Sequence, residues 1–304
     1  MKSLIFPSFL KEGDKVAIVS PSGKIDKKLL RGTGKEIESW GLEVVTGKCA
    51  GKSFASYAGT IKQRLTDFQW AMDKEDIKAI ICSRGGYGAV HLLEKLDFTE
   101  FRKHPKWLIG FSDISALHSL FQSEGYASIH GLMGRHLCIE PKNDPCKLHL
   151  KDMLFGKLPD YECPTHKLNK KGTVRGILRG GNMAVLYGLR GTPYDIPPTD
   201  TILFLEDIGE RPHALERMMY NLKLSGVLEN LSGLIFGQFT EFEEDKSLGK
   251  ELYGAFADII KEYDIPVCYN FPVGHVTHNV PLICGAEVEF TVGKKSVKLN
   301  FNLP

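Results

Sequence analysis

The sequence predicts an α/β protein of two domains, the first built on a parallel sheet and the second richer in strands. At 304 residues the chain is long enough for two domains of ordinary size. Several short apolar runs are each followed by a Gly, Ser or Asn turn and then by a helical pattern, which is typical of parallel sheets. Because these runs are apolar on both faces, helices are expected to cover the sheet on each side.

Four of these runs define the first domain, which is predicted over residues 1–157. The predicted strands are residues 15–20, 42–45, 77–82 and 107–110. Helices are predicted from residue 24 toward Trp40, around Leu92 and from Ile114 to Phe121. Sharp turns follow the first, third and fourth strands, and in open α/β sheets sites assemble at such carboxyl ends.

A linker is predicted over residues 158–172, where Gly, Pro, Lys, Asn and Thr dominate and no apolar period is sustained. The strand-turn-helix pattern resumes beyond it, so the C-terminal domain is predicted over residues 173–304. Its predicted helices are residues 183–189 and 210–224. Its predicted strands are residues 173–178, 201–205, 234–236, 266–269, 287–292 and 296–301.

The composition excludes several classes of protein. Lys plus Arg number 39 and Asp plus Glu 37, a balance of +2 that gives no strong attraction to nucleic acid or to an anionic membrane. No uncharged apolar run approaches the roughly 18 residues that span a bilayer, and the N-terminus has no secretory apolar segment. The seven cysteines are odd in number and never spaced as C-x-x-C, which indicates neither disulfides nor a zinc site. We therefore expect a cytoplasmic protein with reduced thiols.

Two glycine-rich segments resemble nucleotide-binding loops, but neither has the required spacing. Gly47-Lys48-Cys49-Ala50-Gly51-Lys52-Ser53 has three residues between its glycines, whereas a phosphate loop needs four. Arg84-Gly85-Gly86-Tyr87-Gly88 does not fit the dinucleotide pattern G-x-G-x-x-G. Nucleotide hydrolysis and dinucleotide binding are therefore not predicted.

Ser112 is a candidate nucleophile, because it lies at a sharp strand-to-helix junction within Gly110-Phe111-Ser112-Asp113-Ile114. A serine there exposes its hydroxyl at the positive end of a helix, and the following backbone N–H can stabilise an oxyanion. Two observations favour a simpler role. Serine is a common N-cap, and the segment departs from the strict pattern G-x-S-x-G because position 114 is isoleucine.

A nucleophilic serine needs a base and an orienting carboxylate from elsewhere in the fold. His275 lies in a glycine-flanked loop after a strand, and Glu206 is the first charged residue after the apolar strand at 202–205. Each alone is more typical of a structural residue than of a catalytic one. His118 lies six residues beyond Ser112 on the same helix, about 240° around its axis, and is interpreted as a packing or surface histidine.

Five segments of the chain, taken together, indicate a family. They are Ser83-Arg84-Gly85-Gly86-Tyr87-Gly88, Ile109-Gly110-Phe111-Ser112-Asp113, Arg179-Gly180-Gly181-Asn182, Phe204-Leu205-Glu206-Asp207-Ile208 and Pro272-Val273-Gly274-His275. These segments resemble those of the LD-carboxypeptidase family, and their order and spacing match from about residue 11 to residue 293, which is nearly the whole chain. The family consists of serine peptidases that include the murein tetrapeptide carboxypeptidases and the microcin C immunity peptidases.

The resemblance implies a catalytic triad of Ser112, Glu206 and His275, with an oxyanion hole formed by the N–H groups of Gly86 and Asp113. It also implies a Rossmann-like N-terminal domain, a strand-rich C-terminal domain, an active site at their junction and a homodimer. No cofactor and no metal ion are expected. The implied substrate is a murein tetrapeptide, from which terminal D-alanine is released in peptidoglycan recycling.

Two alternatives stay open at this point. The immunity branch of the family cleaves peptidyl nucleotides and carries a tryptophan in the inter-domain loop that stacks on the base. This chain has no tryptophan between residues 155 and 172, which favours the murein branch, although Tyr161 or His166 is an alternative stacking residue. The other alternative is a small-ligand binding module in which Ser112 only caps a helix.

Overall fold

The chain folds into two compact units in a computed structural model that describes residues 4–243 and 248–302. The first unit comprises the described residues up to Leu158 together with Val280–Ile283. The second comprises the described residues of Pro159–Asn279 and those from Cys284 onward. Each unit contains one β-sheet with helices, so the predicted α/β class is confirmed.

The elements of the first unit alternate between strands and helices. Two short 3₁₀ helices, Ala89–Lys95 and Ser112–Ile114, follow the third and fourth strands. The other elements are β1 (Lys15–Val19), α1 (Lys27–Glu38), β2 (Glu43–Thr46), α2 (Ile61–Asp73), β3 (Ile77–Cys82), β4 (Trp107–Gly110), α3 (Ser115–Ser123), β5 (Ser128–His130), α4 (Gly134–Ile139) and α5 (Pro145–Leu154).

The second unit is richer in strands, as predicted. Its elements are β6 (Tyr161–Pro164), β7 (Gly172–Asn182), α6 (Met183–Gly188), β8 (Thr201–Ile208), α7 (Pro212–Leu224), α8 (Val227–Asn230), β9 (Gly233–Thr240), α9 (Leu252–Ile260), β10 (Val267–Cys268), β12 (Glu287–Val292) and β13 (Ser296–Asn302). The strand between β10 and β12 is β11 (Leu282–Cys284), which joins the sheet of the first unit.

In each sheet, the strand order places the turns that carry predicted site residues at the same end of neighbouring strands. The first sheet has the order β11-β5-β4-β3-β1-β2, and the pairs from β5 to β2 are parallel. The turns after β1, β3 and β4 therefore lie side by side. The second sheet has the order β10-β9-β8-β7-β12-β13-β6, parallel from β10 to β7 and antiparallel beyond.

Local sequence explains where the helices begin. Thr60 and Gln63 form a capping box at the start of α2. Asp26 caps α1, and Asp144 caps α5, whose first residue is Pro145. Strands β3 and β4 are almost wholly buried, as expected for a parallel sheet covered on both faces.

The predicted domain boundaries differ from the structure in two places. Residues 161–164 lie in the predicted linker but form β6, an edge strand that pairs with β13. Val280–Ile283, predicted in the C-terminal domain, belong to the first unit. Both segments are short, and their pairing partners lie more than 100 residues away in the sequence, so local periodicity does not reveal them.

The helix predicted around Leu92 is a 3₁₀ helix. Strands β7, β8 and β9 each run at least three residues further than predicted, β9 as far as Thr240. Strand β7 continues to Asn182 because Gly180 and Gly181, which resemble a turn in the sequence, lie within it at φ values of 148° and 143°. A Cβ atom at Gly180 would lie 1.9 Å from the Phe204 carbonyl oxygen, so β8 approaches β7 too closely for any side chain. Strand β8 likewise continues through Glu206 to Ile208.

In the described part of the chain, no helix combines the length and the apolar character required to cross a bilayer.

Candidate active site

Ser112 has a strained backbone at the exit of β4. Its φ angle is 64°, in the left-handed region that costs an L-residue about 1–2 kcal/mol. The extended residue before the 3₁₀ helix, at the N-cap position, is Phe111, and no side chain caps this helix. Ser112 is thus not the N-cap that the simpler interpretation requires. Strain of this kind concentrates at functional sites, and it matches the sharp turn expected of a nucleophile.

The turn after β3 lies against Ser112. A Cβ atom on Gly85 would lie 2.9 Å from the Ser112 Cβ and 3.0 Å from its Oγ, so only glycine fits there without displacing the serine. Gly86 follows with a φ of 116°, another conformation that favours glycine. Among the described residues, the Gly86 N–H has no hydrogen-bond acceptor. The structure thus places the predicted oxyanion-hole glycine one residue from the atoms that contact Ser112.

The Asp113 side chain holds these turns together. Its buried carboxylate accepts hydrogen bonds from the Ser22 hydroxyl, in the turn after β1, and from the Ala89 N–H at 2.8 Å. Burial raises the pKa of the Asp113 carboxyl, and the hydrogen bonds from Ser22 and Ala89 oppose that effect. Asp113 therefore contributes a buried carboxylate as well as the predicted oxyanion-hole amide.

Arg64 on α2 fixes the same turns from the other side. Its Nη1 donates to the carbonyl oxygens of Pro21 at 2.6 Å and Gly88 at 2.7 Å, and its Nη2 lies 3.0 Å from His91 Nδ1. A buried arginine that links two loop carbonyls restricts the movement of both loops. The backbone around Ser112 is therefore preorganised by neighbours that the sequence did not reveal.

Glu206 and His275 form a hydrogen-bonded pair in the second unit. The Glu206 carboxylate on β8 is fully buried, and its Oε2 lies 2.7 Å from His275 Nδ1. The pairing of β8 with β9 shifts register between Leu205 and Asp207, at the position of Glu206. Gly274 has a φ of 126°, and a Cβ there would lie 2.9 Å from Glu206 Oε2. The glycine before the histidine is what lets the loop approach the carboxylate.

The Glu206 carboxylate changes the pKa of the His275 imidazole. Burial by itself lowers the pKa of His275, but the hydrogen bond and charge of Glu206 outweigh it, with smaller contributions from Asp207 and Glu241, so the pKa of His275 is raised. Because Nδ1–H faces Glu206, Nε2 is the basic nitrogen of the neutral ring. This is the tautomer that a histidine general base requires.

The pKa of His275 should depend on Glu206, which an NMR titration of the imidazole can measure. We expect a value above 6.5 in the wild type and a lower value in Glu206→Gln, because burial is then no longer opposed by the carboxylate. Glu241→Gln is the matched control and should shift it less. Since the folded pKa is raised, the interaction stabilises the fold fully below about pH 6.5 and is lost as pH rises through the folded value. Equal pKa values in the wild type and Glu206→Gln would contradict the pairing.

Two further buried residues support this pair, and the sequence reasoning missed both. Asp207 accepts hydrogen bonds from Asn182 Nδ2 at 3.0 Å and from the Ala184 N–H at 2.7 Å, which ties β8 to the start of α6. Burial, with the charge of Glu206, raises the pKa of Asp207 to about 6. Asn279 Oδ1 accepts from the Gly274 N–H at 2.9 Å and braces the loop before His275. The two consecutive acids at the end of a buried strand were the available signal for Asp207.

Three other predicted side chains have packing roles. His118 is fully buried, with Nδ1 2.8 Å from Ser128 Oγ and Nε2 2.8 Å from the Gly110 carbonyl, and burial lowers its pKa to about 4. The interpretation of His118 as a packing residue is confirmed. The rings of Tyr161 and His166 pack within the second unit, against Phe271 and Phe301 and against Tyr253 and Tyr269 respectively.

The described residues contain no group of three His, Cys, Asp or Glu side chains placed to hold a metal ion. The structure thus brings the predicted site residues together in two sets. Ser112, Gly86 and Asp113 lie together in the first unit, and Glu206 and His275 lie together in the second.

Known proteins resemble this chain along most of its length. The profile of the LD-carboxypeptidase N-terminal domain matches residues 16–131, and that of the C-terminal domain matches residues 175–290. The murein tetrapeptide carboxypeptidase of Pseudomonas aeruginosa is 33% identical over 275 residues, covering 87% of this chain and 89% of that protein.

Solved structures show the same fold. The crystal structure of muramoyltetrapeptide carboxypeptidase from Oxalobacter formigenes has a TM-score of 0.86 at 27% identity and covers 95% of this chain and 99% of that one. The immunity protein MccF, solved with glutamyl sulfamoyl guanosine, has a TM-score of 0.84 at 23% identity and covers 98% of both chains. The likeness to MccF concerns the fold alone. The two domain profiles and the 33% identical relative show that the chain belongs to the LD-carboxypeptidase family.

Proposed function

We propose that the protein is a serine LD-carboxypeptidase that releases terminal D-alanine from a murein tetrapeptide during peptidoglycan recycling. The observation that carries the proposal is the strained Ser112 turn, packed against the turn that presents the Gly86 N–H. The carboxypeptidase identity of the family and the murein tetrapeptide carboxypeptidase of Pseudomonas aeruginosa support the choice of substrate.

The proposed acylation step uses three side chains. His275 Nε2 takes the proton of the Ser112 hydroxyl while Oγ attacks the carbonyl carbon of the L-residue. Glu206 holds the imidazole in the required tautomer and stabilises its positive charge. The N–H groups of Gly86 and Asp113 donate to the oxyanion of the tetrahedral intermediate.

Collapse of this intermediate breaks the carbon–nitrogen bond. His275 gives its proton to the leaving amine, D-alanine departs, and the tripeptide remains as an ester on Ser112. A water molecule then attacks the ester carbonyl while His275 accepts its proton. Hydrolysis of the ester returns the free Ser112 hydroxyl and releases the tripeptide.

Peptidyl nucleotides are the second candidate substrate, because the chain shares the fold of MccF. The segment 155–172 contains no tryptophan. The buried Tyr161 ring packs against Phe271 and Phe301, and the half-buried His166 ring packs against Tyr253 and Tyr269. These observations favour the murein peptide over the nucleotide.

Stereochemistry at the cleaved bond tests the proposal. A misplacement of the leaving group by about 1 Å can cost around a hundred-fold in rate, so a tetrapeptide ending in D-alanine should be cut and one ending in L-alanine cut poorly. A pentapeptide ending in D-Ala-D-Ala should resist cleavage, because its extra residue moves the carboxylate out of register. Chromatography of the released alanine measures all three rates.

Equal turnover of the D- and L-terminated peptides would show that the enzyme is not an LD-carboxypeptidase. Faster cleavage of a peptidyl nucleotide would assign the chain to the immunity branch. No turnover of any of these substrates would favour the small-ligand binding module.

Gly85→Ala should lower the rate of D-alanine release about a hundred-fold, because the new methyl group would displace Ser112 by overlap at 2.9–3.0 Å. The matched control is Gly188→Ala at the end of α6, where an added Cβ would have no atom within 4 Å and should leave the rate unchanged. The same assay measures both variants. A wild-type rate for Gly85→Ala would contradict the close packing of these two turns.

The proposal also includes a homodimer and a cytoplasmic location. None of the seven cysteines, all of which lie in the described part of the chain, forms a disulfide, which supports a reducing compartment. Light scattering during gel filtration would test the dimer, for which a mass of about 68 kDa is expected from the 33.9 kDa chain. A mass near that of one chain at working concentration would contradict it.

A further inference from the structure

Two exposed cations lie beside the proposed oxyanion turn. Arg84 is the second residue after β3, and its Nη1 donates to the Lys24 carbonyl oxygen at 3.1 Å. Lys24 lies in the turn after β1, and its Nζ donates to the Ala55 carbonyl at 3.0 Å. Both cations are therefore held by neutral carbonyl oxygens, which fix their positions without neutralising their charge.

No carboxylate of the described chain pairs with either cation. The acids Asp113, whose carboxylate joins the turns after β1 and β3, and Asp26, two residues after Lys24, have other partners. Asp113 accepts hydrogen bonds from Ser22 and Ala89, and Asp26 Oδ1 accepts the Lys28 N–H at 2.6 Å as the cap of α1. Arg84 and Lys24 thus form an exposed, positively charged pair, and an anion can bind it without displacing an internal ion pair.

The backbone segments that carry this pair pack against each other and against the turn of the nucleophile. The Gly23 N–H donates to the Gly85 carbonyl at 3.0 Å, and a Cβ on Gly23 would lie 2.6 Å from that oxygen, so the two turns touch at their glycines. Gly85 is in turn the residue that packs against Ser112. Lys24 and Arg84 are the residues directly next to these contact points in the sequence.

An enzyme that removes one terminal residue must recognise a carboxylate close to the bond it breaks. Standard bond lengths place the carboxylate carbon of the leaving residue roughly 4 Å from the attacked carbonyl carbon. Arginine binds carboxylates through a rigid fork of two N–H donors, and such charge-assisted bonds are about twice as strong as neutral ones. We propose that Arg84, supported by Lys24, binds the terminal carboxylate of the substrate peptide, an inference that rests on the proposed function.

The experiment compares a tetrapeptide ending in D-alanine with the same peptide ending in D-alaninamide, because both yield the same tripeptide product. The wild type should prefer the acid. In Arg84→Gln this preference, measured as the ratio of the two kcat/KM values, should fall by about 10- to 100-fold, the size of a lost charged hydrogen bond. Arg84→Lys keeps the charge but loses the fork, so its ratio should lie between those of the wild type and Arg84→Gln. Lys24→Gln should reduce the ratio less than Arg84→Gln does.

Arg135 provides the matched control, since it is exposed in the first turn of α4 and its backbone N–H donates to the Ser83 carbonyl at 2.8 Å. Arg135→Gln should keep the wild-type ratio. If kcat/KM falls equally for the acid and the amide in both Arg84 variants, Arg84 only shapes the Ser112 turn, and the proposal is wrong. A wild type that cuts acid and amide equally well would also overturn it. If the wild type releases tripeptide from neither, the proposed function itself fails and the carboxylate site fails with it.

Discussion

Ser112→Ala should abolish D-alanine release, with a loss on the order of a million-fold in kcat, because loss of a triad nucleophile removes covalent catalysis altogether. The residual rate would come from binding and from the oxyanion hole alone. Release of D-alanine from the tetrapeptide measures the loss. More than a few per cent of wild-type turnover in this variant would rule out the serine mechanism.

Ser112→Gly is the control for folding. At a φ of 64° glycine has no strain, whereas alanine keeps the cost of about 1–2 kcal/mol that serine has there. We expect both variants to be inactive and the glycine variant to be the more stable by about 1 kcal/mol in thermal unfolding. A glycine variant that unfolds at a lower temperature than the alanine variant would contradict the strained turn.

Glu206→Gln should lower kcat about ten-thousand-fold, the loss observed when a triad carboxylate becomes an amide. The side chain keeps its shape, so the fully buried site stays filled, but the neutral amide no longer selects the Nδ1–H tautomer of His275. Activity on the tetrapeptide measures the loss.

Glu241→Gln is the control for general electrostatics, because the exposed Glu241 charge acts on the same imidazole without a hydrogen bond. We expect it to change kcat less than ten-fold. Similar losses of kcat in the two variants would mean that Glu206 acts only as a nearby charge. A nearly wild-type kcat for Glu206→Gln would show that Glu206 is not part of a catalytic triad.

The strands of both sheets could be predicted where they are continuous apolar runs. Strands β3, β4 and β12 have the predicted bounds, because β3 and β4 are continuous apolar runs and the burial of β12 alternates along the strand. Strands β6 and β11 could not be predicted, because each is short and is defined by pairing with a strand more than 100 residues away. The last residues of β7 could not be predicted either, because Gly180 and Gly181 resemble a turn in the sequence. The close approach of β8 that requires glycine there exists only in the folded structure.

The three residues of the candidate triad could be predicted from the sequence, but the residues that hold them in place could not. Ser112, Glu206 and His275 stand at strand ends in the sequence, and that placement is a local signal. Their support is not local. Arg64, on α2, donates hydrogen bonds to carbonyls in two different turns, and Asn279 accepts a hydrogen bond from the loop of His275. Neither role can be recognised before the fold brings these partners together.

The distance between Ser112 Oγ and His275 Nε2 in a crystal structure of the protein is the most direct test of the proposed triad, because the triad requires residues of both units to meet. With the tetrapeptide bound to Ser112→Gly, the peptide carbonyl should lie beside the Gly86 and Asp113 amides. In the wild type we expect an Oγ to Nε2 distance of about 2.6–3.2 Å, or slightly more without substrate. A His275 that lies on a far face of the second unit in every copy, with Ser112 out of its reach, would contradict the account.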